Sequence, residues 1–128
     1  MKILSNQKVF ITGAASGIGR STAIAMGKLG CRLFLTDIDE SGLKKTVDII
    51  SNSGGTVCLA RSFDVGNYEA MSAFAKDVHE GYGPLDILVN VAGVVSEHPI
   101  ACELSRLHPL LRRLVVRRLF RHRSIASH

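Results

Sequence analysis

The chain has 128 residues, 46% of them hydrophobic and 21% charged, the make-up of one packed domain rather than a disordered segment. No apolar run is long enough to cross a bilayer, and the stretch after Met1-Lys2 is too short for a signal-peptide core, so a cytoplasmic protein is expected. Cys31, Cys58 and Cys102 are odd in number and far apart, which argues against a disulfide frame and against a metal site.

The formal charge of +5 is confined to the end of the chain. Residues 1–93 carry nine Lys/Arg and nine Asp/Glu, whereas residues 94–128 carry seven Arg and two Glu. The basic balance, which would ordinarily raise nucleic acid or an anionic membrane as a partner, therefore describes the last quarter of the chain and says nothing about the first three.

In chain order, Lys8–Thr12 is a β-branched and aromatic run that predicts a buried strand ending at a glycine-rich turn. The spacing of Ile18, Ala23, Ala25, Met26 and Leu29 predicts a helix over 17–29, with Gly30 as its C-cap. A second strand follows at Arg32–Asp37. Helical spacing returns at Leu43, Val47 and Ile50 and closes at Ser53-Gly54-Gly55. Thr56–Arg61 reads as a third strand, 67–79 as a third helix, and Asp86–Asn90 as a fourth strand. Strands that are apolar at consecutive positions, joined by crossover helices, imply a parallel sheet covered on both faces. Right-handed crossovers make this a doubly wound α/β sheet of Rossmann type, in the order 3-2-1-4.

The turn Thr12-Gly13-Ala14-Ala15-Ser16-Gly17-Ile18-Gly19 opens the first helix. A helix N-terminus presents unpaired N–H groups and the positive end of the dipole, so this turn is a candidate diphosphate cradle. Gly13 would make the tight turn, Gly17 the close approach and Gly19 the helix–strand contact. No Gly-Lys-Ser/Thr follows, which excludes a P-loop. The plainer alternative is a turn that only packs. Asp37, twenty residues after Gly17 at the end of the second strand, would accept hydrogen bonds from an adenosine ribose and repel a 2′-phosphate. With no basic residue at position 16 or 38, NAD is preferred over NADP. The competing reading makes Asp37 a helix cap, a role Asp39 would fill equally well.

TGAASGIG at 12–19, Asp37, DV at 64–65 and NVAG at 90–93 resemble, in order and position, the short-chain dehydrogenase/reductase family, over about residues 5–95. The resemblance implies that Gly13, Ser16, Gly17, Ile18 and Gly19 hold the pyrophosphate and that Asp37 takes the ribose. Asp64 and Val65 would flank the adenine, and Asn90, Ala92 and Gly93 would line the cofactor beyond the fourth strand. Val91 departs from the family's usual Asn-Asn-Ala-Gly, a mild change because Asn90 is the residue that would brace the central strands.

The family's chemistry uses a Tyr with a Lys four residues later, a Ser and an Asn; the Lys lowers the phenol pKa for general acid/base work. Here Tyr68 and Tyr82 both precede the fourth strand, and Ser72 and Asp86 stand four residues after them. Beyond Asn90 there is no Tyr, Lys or Asn. No catalytic residue is therefore assigned. An alcohol or carbonyl substrate is implied only for an intact relative.

Two units are expected: a dinucleotide-binding half at 1–95 and an Arg/Leu-rich tail at 96–128. In the tail, Leu104, Leu107, Leu111, Leu114 and Val115 would form a helical apolar stripe with Arg106, Arg113, Arg117 and Arg121 on a neighbouring face. The favoured reading is that the tail is no selected continuation of the domain but the product of a frame change or truncation, without membrane or nucleic-acid contact. The fourth strand would then be an open edge. The leading function is the cofactor-binding part of an NAD-dependent short-chain oxidoreductase, catalytically incomplete. The alternatives are a non-catalytic nucleotide-binding or interaction protein that uses the basic tail, and another Rossmann enzyme such as a methyltransferase, against which 64–65 and 90–93 argue.

Overall fold

The computed structural model describes residues 5–91 and the backbone of residues 112–115. Strand β1 is Lys8–Thr12, β2 is Arg32–Asp37, β3 is Thr56–Ser62 and β4 is Ile87–Asn90. Helix α1 is Gly17–Lys28, α2 is Glu40–Asn52 and α3 is Tyr68–Tyr82. In β1 and β2 every interior position is buried, as a sheet covered on both faces requires.

Side chains leave a strand alternately to its two faces, and two core layers follow from this. Phe10, Phe34 and Leu88 join Met71, Phe74 and Val78 of α3 on one face. Val9, Ile11, Leu33, Leu35 and Val89 meet Ala23 of α1 and Leu43 and Ile50 of α2 on the other. The register Phe10↔Phe34 and Phe10↔Leu88 places the first set side by side across three strands. Burying each of these large apolar side chains is worth roughly 1.5–3 kcal/mol. The doubly wound parallel sheet is therefore the observed architecture.

Several boundaries differ from the sequence reading: α1 stops at Lys28 with Leu29 rather than Gly30 as its cap, and β3 runs on to Ser62. Asn67 stands outside α3 as its cap, and the helix runs on through Gly81 to Tyr82 before Gly83 stops it at φ +85. Asp86 precedes β4 because its carboxylate accepts from the Lys8 N–H at 2.8 Å.

A larger correction concerns the tail. The backbone of Arg112–Val115 is a strand, β5, parallel to β4 from Ile87↔Arg112 to Asn90↔Val115, and the sheet order is β3-β2-β1-β4-β5. Over these four residues the expected helical stripe, with Leu114, Val115 and Arg113 in it, is not formed, and β4 is not an open edge. The physical reason is the demand of a strand edge for partners. Unpaired N–H and C=O groups beside a packed sheet each cost about 1–3 kcal/mol. A segment containing Leu and Val satisfies them in extended form, and that outweighs its helical spacing. The remaining tail residues lie outside the described ones, as do Ala92 and Gly93.

Candidate dinucleotide site

In a parallel sheet all strands finish at one edge. Thr12 pairs with Thr36 and with Asn90, and Asp37 pairs with Ser62. The winding reverses between β1 and β4, since β2 and β3 lie to one side of β1 and β4 to the other. A crevice outside the strand ends is expected at such a reversal, and the loop 13–16 borders it.

The glycine spacing has a local cause. A Cβ on Gly19 would stand 1.7 Å from the Gly13 carbonyl oxygen, so the first turn of α1 seats directly on the preceding loop only because position 19 has no side chain. Gly17 differs: its φ is +55 and a Cβ there would meet nothing within 4 Å, so it faces open space. Ser16, the N-cap of α1, is extended and its side chain makes no capping hydrogen bond. By contrast, Asp39 caps α2 by accepting from Gly42 N–H, and Asn67 caps α3 by accepting from Ala70 N–H, each at 3.0 Å. The first-turn N–H groups at Gly17, Ile18 and Gly19 have no intrahelical acceptor. Donors and dipole at that end favour an anion.

Asp37 is half-buried at the end of β2. One carboxylate oxygen accepts from the Ala15 N–H at 2.8 Å and the other from the Asp39 N–H at 3.0 Å. The cap of α2 is therefore Asp39, and Asp37 is tied to the glycine loop instead. The Asp39 carboxyl is held below the usual carboxylate range, first by the Gly42 N–H and then by the Ser41 hydroxyl.

Asp64 is exposed. Its carboxylate accepts from Gly66 N–H at 2.8 Å and its carbonyl from Asn67 N–H at 2.8 Å, forming the turn into α3. Val65 is only 8% exposed and belongs to the core layer with Phe10 and Phe74. The Phe63 N–H donates to the Asp37 carbonyl at 3.1 Å, which joins this turn to the end of β2. Asn90 accepts from the Thr12 hydroxyl at 2.7 Å, and that hydroxyl accepts from Val91 N–H at 3.0 Å, bracing β1 against β4. Gly13, Ser16, Gly17, Asp37 and Asn90 thus lie at one sheet edge, with Val65 committed largely to packing.

Sequence reasoning missed Ile38, which is 69% exposed beside Asp37. A large apolar residue directly after the strand-end carboxylate was the available signal. Tyr82 is structural: its hydroxyl donates to the Cys58 carbonyl at 3.0 Å and its ring lies edge-on to Phe34. Among the described residues no three His, Cys, Asp or Glu side chains group as metal ligands, and no helix is long and apolar enough to cross a membrane.

Comparison with known proteins gives consistent matches. The family model described as short chain dehydrogenase matches residues 7–107. An uncharacterized oxidoreductase of Bacillus subtilis, YxbG, is 39% identical over 105 residues, covering 76% of this chain and 37% of that protein. A short-chain dehydrogenase/reductase from Burkholderia phymatum, solved in complex with NAD, superposes with a TM-score of 0.71 at 29% identity over 87% of this chain and 46% of its own. A metagenomic short-chain oxidoreductase in complex with NADP gives 0.67 at 38% identity, over 71% and 41%. The chain thus spans less than half the length of each of these three proteins.

Proposed function

This chain belongs to the short chain dehydrogenase family, and on that premise we propose that residues 1–95 form the nucleotide-binding part of an oxidoreductase with NAD as the preferred cofactor. Gly13, Ser16, Gly17, Ile18 and Gly19 receive the diphosphate, Asp37 the adenosine ribose, Asp64 and Val65 the adenine region, and Asn90, Ala92 and Gly93 the far end of the cofactor. Ile38 adds an apolar surface next to the ribose position.

The observation that carries this reading is the setting of Asp37. Its carboxylate is anchored by two backbone N–H groups at 2.8 and 3.0 Å, next to a helix end that the side chain of its N-cap residue, Ser16, leaves uncapped. A carboxylate offers about four lone-pair directions, so two remain for ribose hydroxyls. The open space at Gly17 suits close approach of a diphosphate. Arg20, in the first turn of α1, is engaged by Thr46 and the Gly42 carbonyl, and neither position 16 nor position 38 beside Asp37 carries a basic side chain that would pair with a 2′-phosphate. At about 4 Å near a surface, the like-charge contact of that phosphate with Asp37 costs roughly 4 kcal/mol.

A nicotinamide dinucleotide supplies hydride transfer between its ring and an alcohol or carbonyl carbon. This chain's residues bind and orient it. With no Tyr-x-x-x-Lys in the sequence, we propose binding without turnover by the chain itself.

Titration of the 128-residue chain with NADH and NADPH, followed by nucleotide fluorescence, tests this. NADH binds at least about tenfold more tightly, and Asp37→Ala removes most of that preference. If neither nucleotide binds, or if the preference survives the substitution, the reading is wrong.

A further inference from the structure

One polar cluster is not absorbed by that function. Thr46, on α2, is 0% exposed. Its hydroxyl oxygen lies 2.8 Å from the Ala14 carbonyl oxygen, 3.2 Å from the Gly42 carbonyl oxygen and 2.8 Å from Arg20 Nε. Arg20 Nη2 donates to the Gly42 carbonyl at 3.0 Å. A guanidinium only donates and a hydroxyl has one proton. Thr46 therefore accepts from Arg20 and gives its own proton to a carbonyl. Since Gly42 already receives Arg20, the shorter contact, to Ala14, is the one the hydroxyl completes.

The Ala14 carbonyl and the Ala15 N–H belong to one planar peptide unit. That unit is held at both ends: its oxygen by Thr46 and its N–H by Asp37, at 2.8 Å each. The Ala14 N–H in turn donates to the Thr36 carbonyl at 3.1 Å. Helix α2 also abuts the loop directly, since a Cβ on Gly42 would stand 3.0 Å from the Ala15 Cβ. Rotation of this peptide would re-aim Ser16 and the first-turn N–H groups that follow it, and would release one carboxylate oxygen of Asp37.

We infer that Thr46, oriented by Arg20, is a positioning residue for the dinucleotide loop, locking the Ala14–Ala15 peptide so that the diphosphate donors and the ribose carboxylate are set in one geometry. The inference rests on the dinucleotide reading above, because it concerns the same loop. Neither side chain need touch the nucleotide.

The test uses the full chain with NADH as the probe, and measures the urea midpoint and the hydrogen exchange of the Ala15 amide. Thr46→Val weakens NADH binding about tenfold or more and speeds Ala15 exchange by a similar factor, while Thr46→Ser restores both to within about threefold. Arg20→Lys keeps the charge but loses the fork. It weakens binding about two- to fivefold with little change in the urea midpoint, which keeps the test open should Thr46→Val fail to fold. If both loss variants bind NADH and protect Ala15 as the unsubstituted chain does, the positioning role is refuted while the dinucleotide reading stands. If the unsubstituted chain does not bind NADH, both fall.

Discussion

Gly19→Ala probes whether the glycine loop and α1 are built as one unit. The added Cβ would lie 1.7 Å from the Gly13 carbonyl oxygen, 2.6 Å from its carbon and 3.2 Å from Ala14 Cα. Real Cβ contacts do not close below 3.0 Å, so the loop carbonyl and the helix must separate by at least about 1.3 Å. All three neighbours are backbone atoms, so no rotamer change relieves the clash. Overpacking of this kind costs about 1–3 kcal/mol, and the upper end applies because α1 is seated by its buried Ala23 and Gly27. Gly17→Ala is the control. Nothing lies within 4 Å of its Cβ, so only the backbone at φ +55 objects, at about 1–2 kcal/mol. Urea denaturation at unchanged m-value measures the stability difference, and NADH titration measures the site. Gly19→Ala loses both stability and binding. Gly17→Ala keeps most of its stability and loses affinity, since its methyl group would occupy the open space where the proposed site receives the diphosphate. If Gly19→Ala proves as stable as Gly17→Ala, the seating of the helix on the Gly13 carbonyl is not what the glycine serves.

Two further expectations concern the frame. Phe74 is 0% exposed, with ring centroids 5.0 Å from Phe10 and 5.4 Å from Phe63. Phe74→Ala should cost about 3–5 kcal/mol in urea, much of a typical domain's stability, whereas Asp77→Ala, which breaks only the exposed pair with Arg61, should stay within about 1 kcal/mol. The Asp39 carboxyl titrates below its ordinary range in the folded chain. Its cap therefore contributes fully above the unfolded value of roughly 4, and the contribution is lost as pH falls through the lower folded value. Asp39→Asn keeps a capping oxygen without the charge, so its urea midpoint should fall less steeply than the unsubstituted chain's between about pH 4 and pH 2; parallel acid limbs would exclude this role.

Much of the frame was legible in the residues alone, because it depends on near neighbours. Consecutive apolar residues at Lys8–Thr12, Arg32–Asp37 and Ile87–Asn90 cannot lie on a half-wet sheet, so a doubly covered parallel sheet followed from pattern. The glycine turn and Asp37 were likewise found by position, each at the end of a strand. What Asp37 touches was not readable: its bond to Ala15 spans 22 residues, and the one from Thr46 to Ala14 spans 32. Such contacts exist only once β1, β2 and α2 are stacked, and no periodicity encodes which hydroxyl will face which carbonyl. The fate of Arg112–Val115 was decided in the same way. Its Leu and Val suit helix or strand, and the waiting edge of β4, some twenty residues earlier, selected the extended form. Local pattern determined the elements between residues 8 and 90; the packing of distant elements decided the form of Arg112–Val115 and which polar groups meet, because a buried donor or acceptor takes its partner from whatever the fold brings beside it.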